Sequence, residues 1–245
     1  MKLINAQHLL IILLMAVLSL NVSCGDDDEI SNGVSSAEFN TDLSYGSMKD
    51  NDGFSYKTIE IGDQIWMAEN LRSTKFRNGE VIAEVTANSA WTALTSPAYS
   101  SYENTADIDE LATNGRLYNW FVVSDSRNIA PAGWHVPTIQ EWEQMATRLG
   151  GMQVAGGKIK EAGNTHWNAP NTSANNISGF TALPSGRREY TDGRFINTGF
   201  NAFWWTSSAY NPDYSWYYQT NYDFASMIVA NFHKQYGFSI RLVKD

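Results

Sequence analysis

The sequence predicts an α+β domain arranged around antiparallel sheet, with long polar loops between the elements. Three observations carry that expectation. A β-rich alternation over residues 56–67 is interrupted by Gly62-Asp63. A capped amphipathic segment occupies residues 138–149. Beyond it the pattern changes to short strands and turns, with Asp192-Gly193 as the clearest turn signal.

Taken in order, residues 56–61 alternate and are rich in β-formers, Gly62-Asp63 makes a two-residue turn of the Gly-X type, and residues 64–67 continue as a second strand. Residues 117–123 (LYNWFVV) are apolar throughout. Periodicity does not separate helix from buried strand there, and the reading leans to helix. Thr138 follows Pro137 and has Glu141 three places on, which is a capping box. Trp142, Met145, Ala146 and Leu149 then fall on one helical face, and Gly150-Gly151 ends the element. Tyr190-Thr191 and Arg194-Phe195 flank Asp192-Gly193 as a hairpin. Near the end Phe238, Ile240 and Leu242 alternate with Ser239, Arg241 and Val243, predicting a strand with one buried face.

The chain has 245 residues, of which 17 are Lys or Arg and 26 are Asp or Glu, for a net charge of −9. That balance argues against a nucleic-acid partner, because affinity for phosphates rests on clustered basic residues. With 43% hydrophobic and 18% charged residues, the composition suits a packed core. Cys24 is the one cysteine, which excludes an intrachain disulfide and a cysteine-built zinc site.

Met1 and Lys2 precede an apolar run over residues 9–20. Twelve helical residues span about 18 Å, short of the roughly 30 Å hydrocarbon core, so the run reads as a signal-peptide h-region. Ending at the lone cysteine, it resembles the lipobox of bacterial lipoproteins. Val22 and Ser23 match that pattern, whereas Asn21 stands where leucine is preferred and Leu20 lies one place early. The resemblance implies that residues 1–23 are removed and that Cys24 is lipidated, giving a membrane partner through the anchor. The alternative is an ordinary secretory signal and a free thiol. Gly25 and the acidic run from Asp26 to Glu29 resemble the surface-export tag of Bacteroidetes lipoproteins, which implies an outer-membrane, cell-surface location. The bland reading of that run is a solvated tether. Residues 24–48 are accordingly expected to form an acidic flexible tether, and residues 49–245 one domain.

Six blocks within that domain appear in order: residues 56–71 (YKTIEIGDQIWMAENL), 115–120 (GRLYNW), 133–138 (GWHVPT), 179–186 (GFTALPSG), 203–208 (FWWTSS) and 236–241 (YGFSIR). Together they resemble the Fibrobacter succinogenes major paralogous domain family. The resemblance implies a fold like that of C-type lectin-like domains and formylglycine-generating enzymes. Such a fold has a compact sheet, two flanking helices, and first and last strands side by side. It implies no established catalytic activity.

The residues themselves point the same way. Formylglycine-generating relatives depend on cysteines inside the folded domain, and Cys24 lies in the signal region. Calcium-dependent lectins use a Glu-Pro-Asn or Gln-Pro-Asp loop and a Trp-Asn-Asp strand, which are absent; Asn211-Pro212-Asp213 is the nearest approach. His135, His166 and His233 share no metal-ligand spacing. Glu141 and Glu143 fall on different helical faces, Gly150-Gly151 and Gly156-Gly157 read as turns, and no nucleophile elbow or phosphate loop occurs. No catalytic residue, metal site or cofactor is therefore expected.

Aromatic density stands out instead, with 14 aromatic residues among the 39 from Phe200 to Phe238. Residues 209–223 are read as a loop in which rings alternate with amides and carboxylates. The candidate ligand-binding residues are Tyr210, Asn211, Asp213, Tyr214, Trp216, Tyr218, Asn221, Tyr222 and Asp223. Rings that stack on sugar faces, beside polar groups that bond hydroxyls, suit a glycan or protein ligand. The competing expectation is that these rings are core. Two functions remain open: a non-catalytic binding or adhesin module, or a structural tip or accessory subunit of a surface fibre. An enzyme of unknown class is a distant alternative.

Overall fold

A computed structural model describes residues 31–245. Cys24 and the acidic run behind it lie outside the described residues. The first regular elements are β1 (Gly46–Lys49), β2 (Ser55–Ile61) and β3 (Gln64–Met67), followed by β4 (Ala83–Glu84), α1 (Asn88–Trp91) and β5 (Ala98–Ser101). Next come α2 (Ile108–Asn114), β6 (Arg116–Tyr118), α3 (Trp120–Val123) and β7 (Trp134–His135). Two longer helices follow, α4 (Ile139–Arg148) and α5 (Met152–Ile159). The chain ends in strands β8 (Ser185–Arg188), β9 (Phe195–Thr198), β10 (Asn201–Ala209), β11 (Tyr214–Asn221), β12 (Met227–His233) and β13 (Val243–Lys244). This is a mixed α+β architecture in which sheet dominates and nearly all pairing is antiparallel.

The opening hairpin forms as expected, with Ile61 paired to Gln64 across Gly62-Asp63. Helix α4 also matches. Thr138 accepts from the Glu141 N–H at 3.2 Å, and Glu141 Oε2 returns to the Thr138 N–H at 2.7 Å. The Asp-Gly hairpin is wider than predicted, since the strands stop at Arg188 and Phe195 and leave six residues between them.

Four expectations are corrected. The supposed tether is folded over residues 31–48. Phe39, Leu43 and Tyr45 pack on the core, and Gly46–Lys49 pairs with β2. Three apolar residues among the polar ones are enough to seat the segment, and its polar groups bond the domain, as when Asn40 Nδ2 donates to the Asn176 carbonyl at 3.1 Å. The run 117–123 splits into β6 and α3, because Asn119 turns the chain and its side chain caps the end of β5: Oδ1 accepts from the Ala98 N–H at 3.1 Å.

Gly156 and Gly157 lie within α5 and are not turn residues. A Cβ on Gly156 would come within 2.2 Å of the Ser226 carbonyl oxygen, so the missing side chain is what lets α5 meet the chain before β12. Finally, residues 238–243 are buried on every side and not on one face. The segment threads between sheets, bridging Phe238 to Tyr118 and Ser239 to Trp204, before β13 pairs with β3 and β7. The last strand thus lies beside the second strand of the opening hairpin.

The order β10-β11-β12 forms the sheet that explains the aromatic density. Phe203, Trp204 and Trp205 are consecutive and each at most 1% exposed, so both faces of this sheet are covered. Trp204 and Tyr218 face α4 in one apolar cluster, whereas Phe203, Trp205 and Tyr217 face Phe238 in another. A sheet buried on both faces needs large apolar residues at both parities, which abolishes the alternation that marks a half-exposed strand.

Candidate functional site

Residues 209–223 are a hairpin and not a loop. Strands β10 and β11 pair from Asn201↔Asn221 to Ala209↔Ser215 and turn through residues 210–213. Asn211 builds the turn, its Oδ1 accepting from the N–H groups of Asp213 and Tyr214, both at 2.9 Å. Lys234 braces the other side, its N–H donating to the Asp213 carbonyl at 2.9 Å and its Nζ to the Pro212 carbonyl at 2.8 Å.

Three rings surround this braced turn. Tyr210 is 52% exposed, Tyr214 is 38% exposed, and Trp216 is half-buried. Tyr210 meets Trp216 edge-on at 5.0 Å. Tyr214 meets His233 edge-on at 5.6 Å, and His233 stacks on Tyr190 at 4.7 Å with the planes 9° apart. The arrangement presents ring surface to solvent while hydrogen bonds fix the backbone beneath it.

The candidate residues do not form one site. Tyr218 belongs to the core: it is 2% exposed, stacks on Trp142 at 5.2 Å, and its hydroxyl donates to the Ile139 carbonyl at 3.2 Å. Its cross-strand partner is Trp204, which places it on the face that α4 covers. Asn221, Tyr222 and Asp223 sit at the far end of β11, about 25 Å from the turn at the usual strand rise. There Asn221 Oδ1 accepts from the Asp223 N–H at 2.7 Å, and Tyr222 packs edge-on to Phe200 at 5.2 Å. Tyr210, Asn211, Asp213, Tyr214 and Trp216 remain together at the turn.

That far end is held by a residue which composition gave no reason to single out. Lys160, at the end of α5, has 0% exposure, and its ammonium donates to the carbonyls of Thr172 at 2.9 Å, Asn221 at 2.9 Å and Phe224 at 3.0 Å. All three N–H donors are spent on backbone from two loops and a strand end. The ammonium thus gathers carbonyl oxygens as a bound cation does. Burial pushes its pKa down to about 8.

Two histidines are also engaged. His135 bonds Asp245 through Nδ1 at 2.6 Å and the capping residue Glu141 through Nε2 at 2.8 Å. Burial works against its charge, but the two carboxylates outweigh it and raise its pKa above the ordinary value. His166 bonds the fully buried Glu161 through Nδ1 at 2.8 Å and Ser36 Oγ through Nε2 at 3.0 Å. That acid–histidine–serine relay opens on a cavity of about 690 Å³. The N–H groups of Ser36 and Glu38 are committed to Thr113 Oγ1 and Glu161 Oε1, so neither is free to face an oxyanion. Glu103, Asp107, Asp109 and Glu110 line the same cavity and would oppose developing negative charge. The relay fastens the N-terminal segment to the domain.

Among the described residues, no group of three or more His, Cys, Asp and Glu side chains is placed to hold a metal ion. No helix among them is long and apolar enough to cross a membrane. Comparison with curated proteins and with solved structures finds no match. The model of the Fibrobacter succinogenes major domain matches residues 59–244, and the chain therefore belongs to the Fibrobacter succinogenes major domain family.

Proposed function

We propose that this protein is a lipid-anchored, surface-exposed lipoprotein of the outer membrane. Its domain, non-catalytic and related in fold to C-type lectin-like domains, binds a glycan or a surface protein through the β10–β11 turn. The single observation that carries the binding reading is the pairing of exposed rings with a braced backbone. Tyr210, Tyr214 and Trp216 keep ring surface accessible around a turn whose N–H groups and whose Pro212 and Asp213 carbonyls are already hydrogen-bonded. Rigid aromatic surface loses little conformational freedom on binding, which favours recognition. The anchor reading rests on the signal-like N-terminus and Cys24. The fold relationship draws support from β13 returning beside the opening hairpin.

The reading is tested by screening the purified chain on glycan and surface-protein arrays, with and without EDTA. Saturable capture that survives EDTA and is lost in Tyr210→Ala or Trp216→Ala supports it. Capture that these substitutions leave unchanged contradicts it.

One observation favours the fibre-subunit alternative. β12 is an edge strand of its sheet, seven residues long, with Val229 exposed. Such an edge can accept a strand from a neighbouring subunit. Polymerisation of the purified chain, blocked by proline at an outward-facing position of β12, would favour that alternative.

A further inference from the structure

We propose that a second cavity, beside β5 and β6, binds a small carboxylate the size of an acidic monosaccharide. The assignment stands independently of the hairpin reading. Arg72, just beyond β3, and Arg116, at the start of β6, lie side by side. The Arg116 N–H donates to the Leu71 carbonyl at 2.9 Å, and Arg116 Nη1 donates to the Arg72 carbonyl at 2.9 Å. The Arg72 N–H donates in turn to the Tyr56 hydroxyl at 3.0 Å. Aromatic rings cover the faces of both guanidinium groups. Arg72 Cζ lies 4.8 Å from the Phe54 ring centre and 5.1 Å from that of Tyr56, and Arg116 Cζ lies 5.0 Å from that of Tyr99. Stacking occupies the faces; Arg116 Nη1 is spent on the Arg72 carbonyl and Arg72 Nη2 reaches the Ser55 carbonyl at 3.5 Å, which leaves the remaining N–H groups to recognise a ligand.

Among the described residues neither guanidinium is in an ion pair, and Glu69 feels the Arg72 charge only from beyond ion-pair distance. Six other Lys, Arg or His side chains do form ion pairs. Arg72 is only 3% exposed, and its Nε has no hydrogen-bond partner. Ser101 is 1% exposed with an equally unpartnered hydroxyl. Arg72, Arg116 and Ser101 all line one cavity of about 480 Å³. Arg72 is buried and Arg116 half-buried, and the hydration that such cations lose is a cost that an entering anion relieves.

The surroundings narrow the class of anion. A guanidinium edge matches the planar fork of a carboxylate. Phe54 and Leu111 offer apolar wall, and Thr86 and Asn104 offer hydroxyl and amide groups on the same cavity. A carboxylate on a hydroxylated ring uses all three kinds of contact. Glu84 also lines the cavity without pairing to either arginine, and so opposes the ligand's charge. Glu69, the other nearby carboxylate, accepts from the Lys57 N–H.

Calorimetric titration of the purified full chain with sodium D-glucuronate, with D-glucose as the neutral control, tests the assignment. Glucuronate should bind saturably and glucose should not. Arg116→Gln should weaken glucuronate about tenfold or more by removing a charged donor, and Glu84→Gln should tighten it. Circular dichroism establishes that each variant is folded. If Arg116→Gln does not fold, Glu84→Gln decides alone: tighter binding supports the site, and unchanged or weaker binding overturns it. No saturable binding of glucuronate, equal binding of glucose, or tighter binding of inorganic phosphate would each overturn the carboxylate assignment.

Discussion

Trp142 and Tyr218 stack with ring centres 5.2 Å apart and planes 18° from parallel. This contact joins α4, the helix most legible in the sequence, to β11, the strand that carries the exposed rings at its other end. Both side chains are at most 2% exposed, and the same tryptophan also meets Trp66 at 4.8 Å and Trp204 at 5.5 Å. The proposed recognition surface therefore extends directly from the core of the domain.

Trp142→Ala should lower unfolding stability by about 3–5 kcal/mol, because it removes a large ring from a packed cluster. Thr138→Ala, which removes only the cap of the same helix, should cost about 1 kcal/mol. Urea denaturation of the two variants measures both. Equal, negligible losses would contradict the packing described for α4.

Lys160→Met keeps most of the buried volume but leaves the carbonyls of Thr172, Asn221 and Phe224 without their shared donor. Stranding a fully buried acceptor costs about 1–3 kcal/mol; these part-buried ones cost less, and neighbouring losses do not add fully. The expected result is a clear fall in melting temperature, with hydrogen exchange speeding up first around residues 172 and 221–224. Uniform exchange across the domain would show that the ammonium does not hold those segments together.

His135 sets a pH dependence of definite sign. Its pKa is raised in the folded state, so its contribution to stability is complete below the unfolded value and is lost as pH rises through the folded one. The melting temperature should decline as pH rises above the ordinary histidine pKa of about 6.5 and through the raised folded-state value. His135→Gln should flatten that decline. The effect is small because the ring is 35% exposed. An unchanged slope in the variant would remove His135 as its source.

Cys24→Ala should move the protein from the membrane fraction to the soluble one. Acyl chains supply about 0.8 kcal/mol per buried CH₂, and two or more are needed for stable anchoring. Unaltered palmitate labelling of the variant would contradict the lipoprotein reading.

Local signals made part of this fold legible. Thr138 with Glu141, and Gly62-Asp63 between alternating strands, act within a few residues of themselves and form as expected. Where tertiary contacts decide, the pattern misleads. Ser and Asn dilute Phe39, Leu43 and Tyr45 enough to resemble a tether, although those three find the core. Gly156 reads as a turn until the approach of Ser226 shows why a helix needs it. Tyr218 and Trp216 are indistinguishable in a run of rings, because only the position of α4 decides which is covered. Ser36 and His166, or Arg72 and Arg116, are brought together by the fold and leave no local pattern.

Binding and melting measured together on Trp216→Ala and Trp204→Ala test the central claim most directly. With a ligand captured from the array, Trp216→Ala should weaken binding by about 2 kcal/mol, as anchoring aromatics do, and leave the melting temperature nearly unchanged. Trp204→Ala should lower the melting temperature sharply, since its ring is fully buried and its Nε1 donates to Asn70 at 3.1 Å. If Trp216→Ala destabilises the domain as Trp204→Ala does, the turn's rings are part of the core and the binding reading is contradicted.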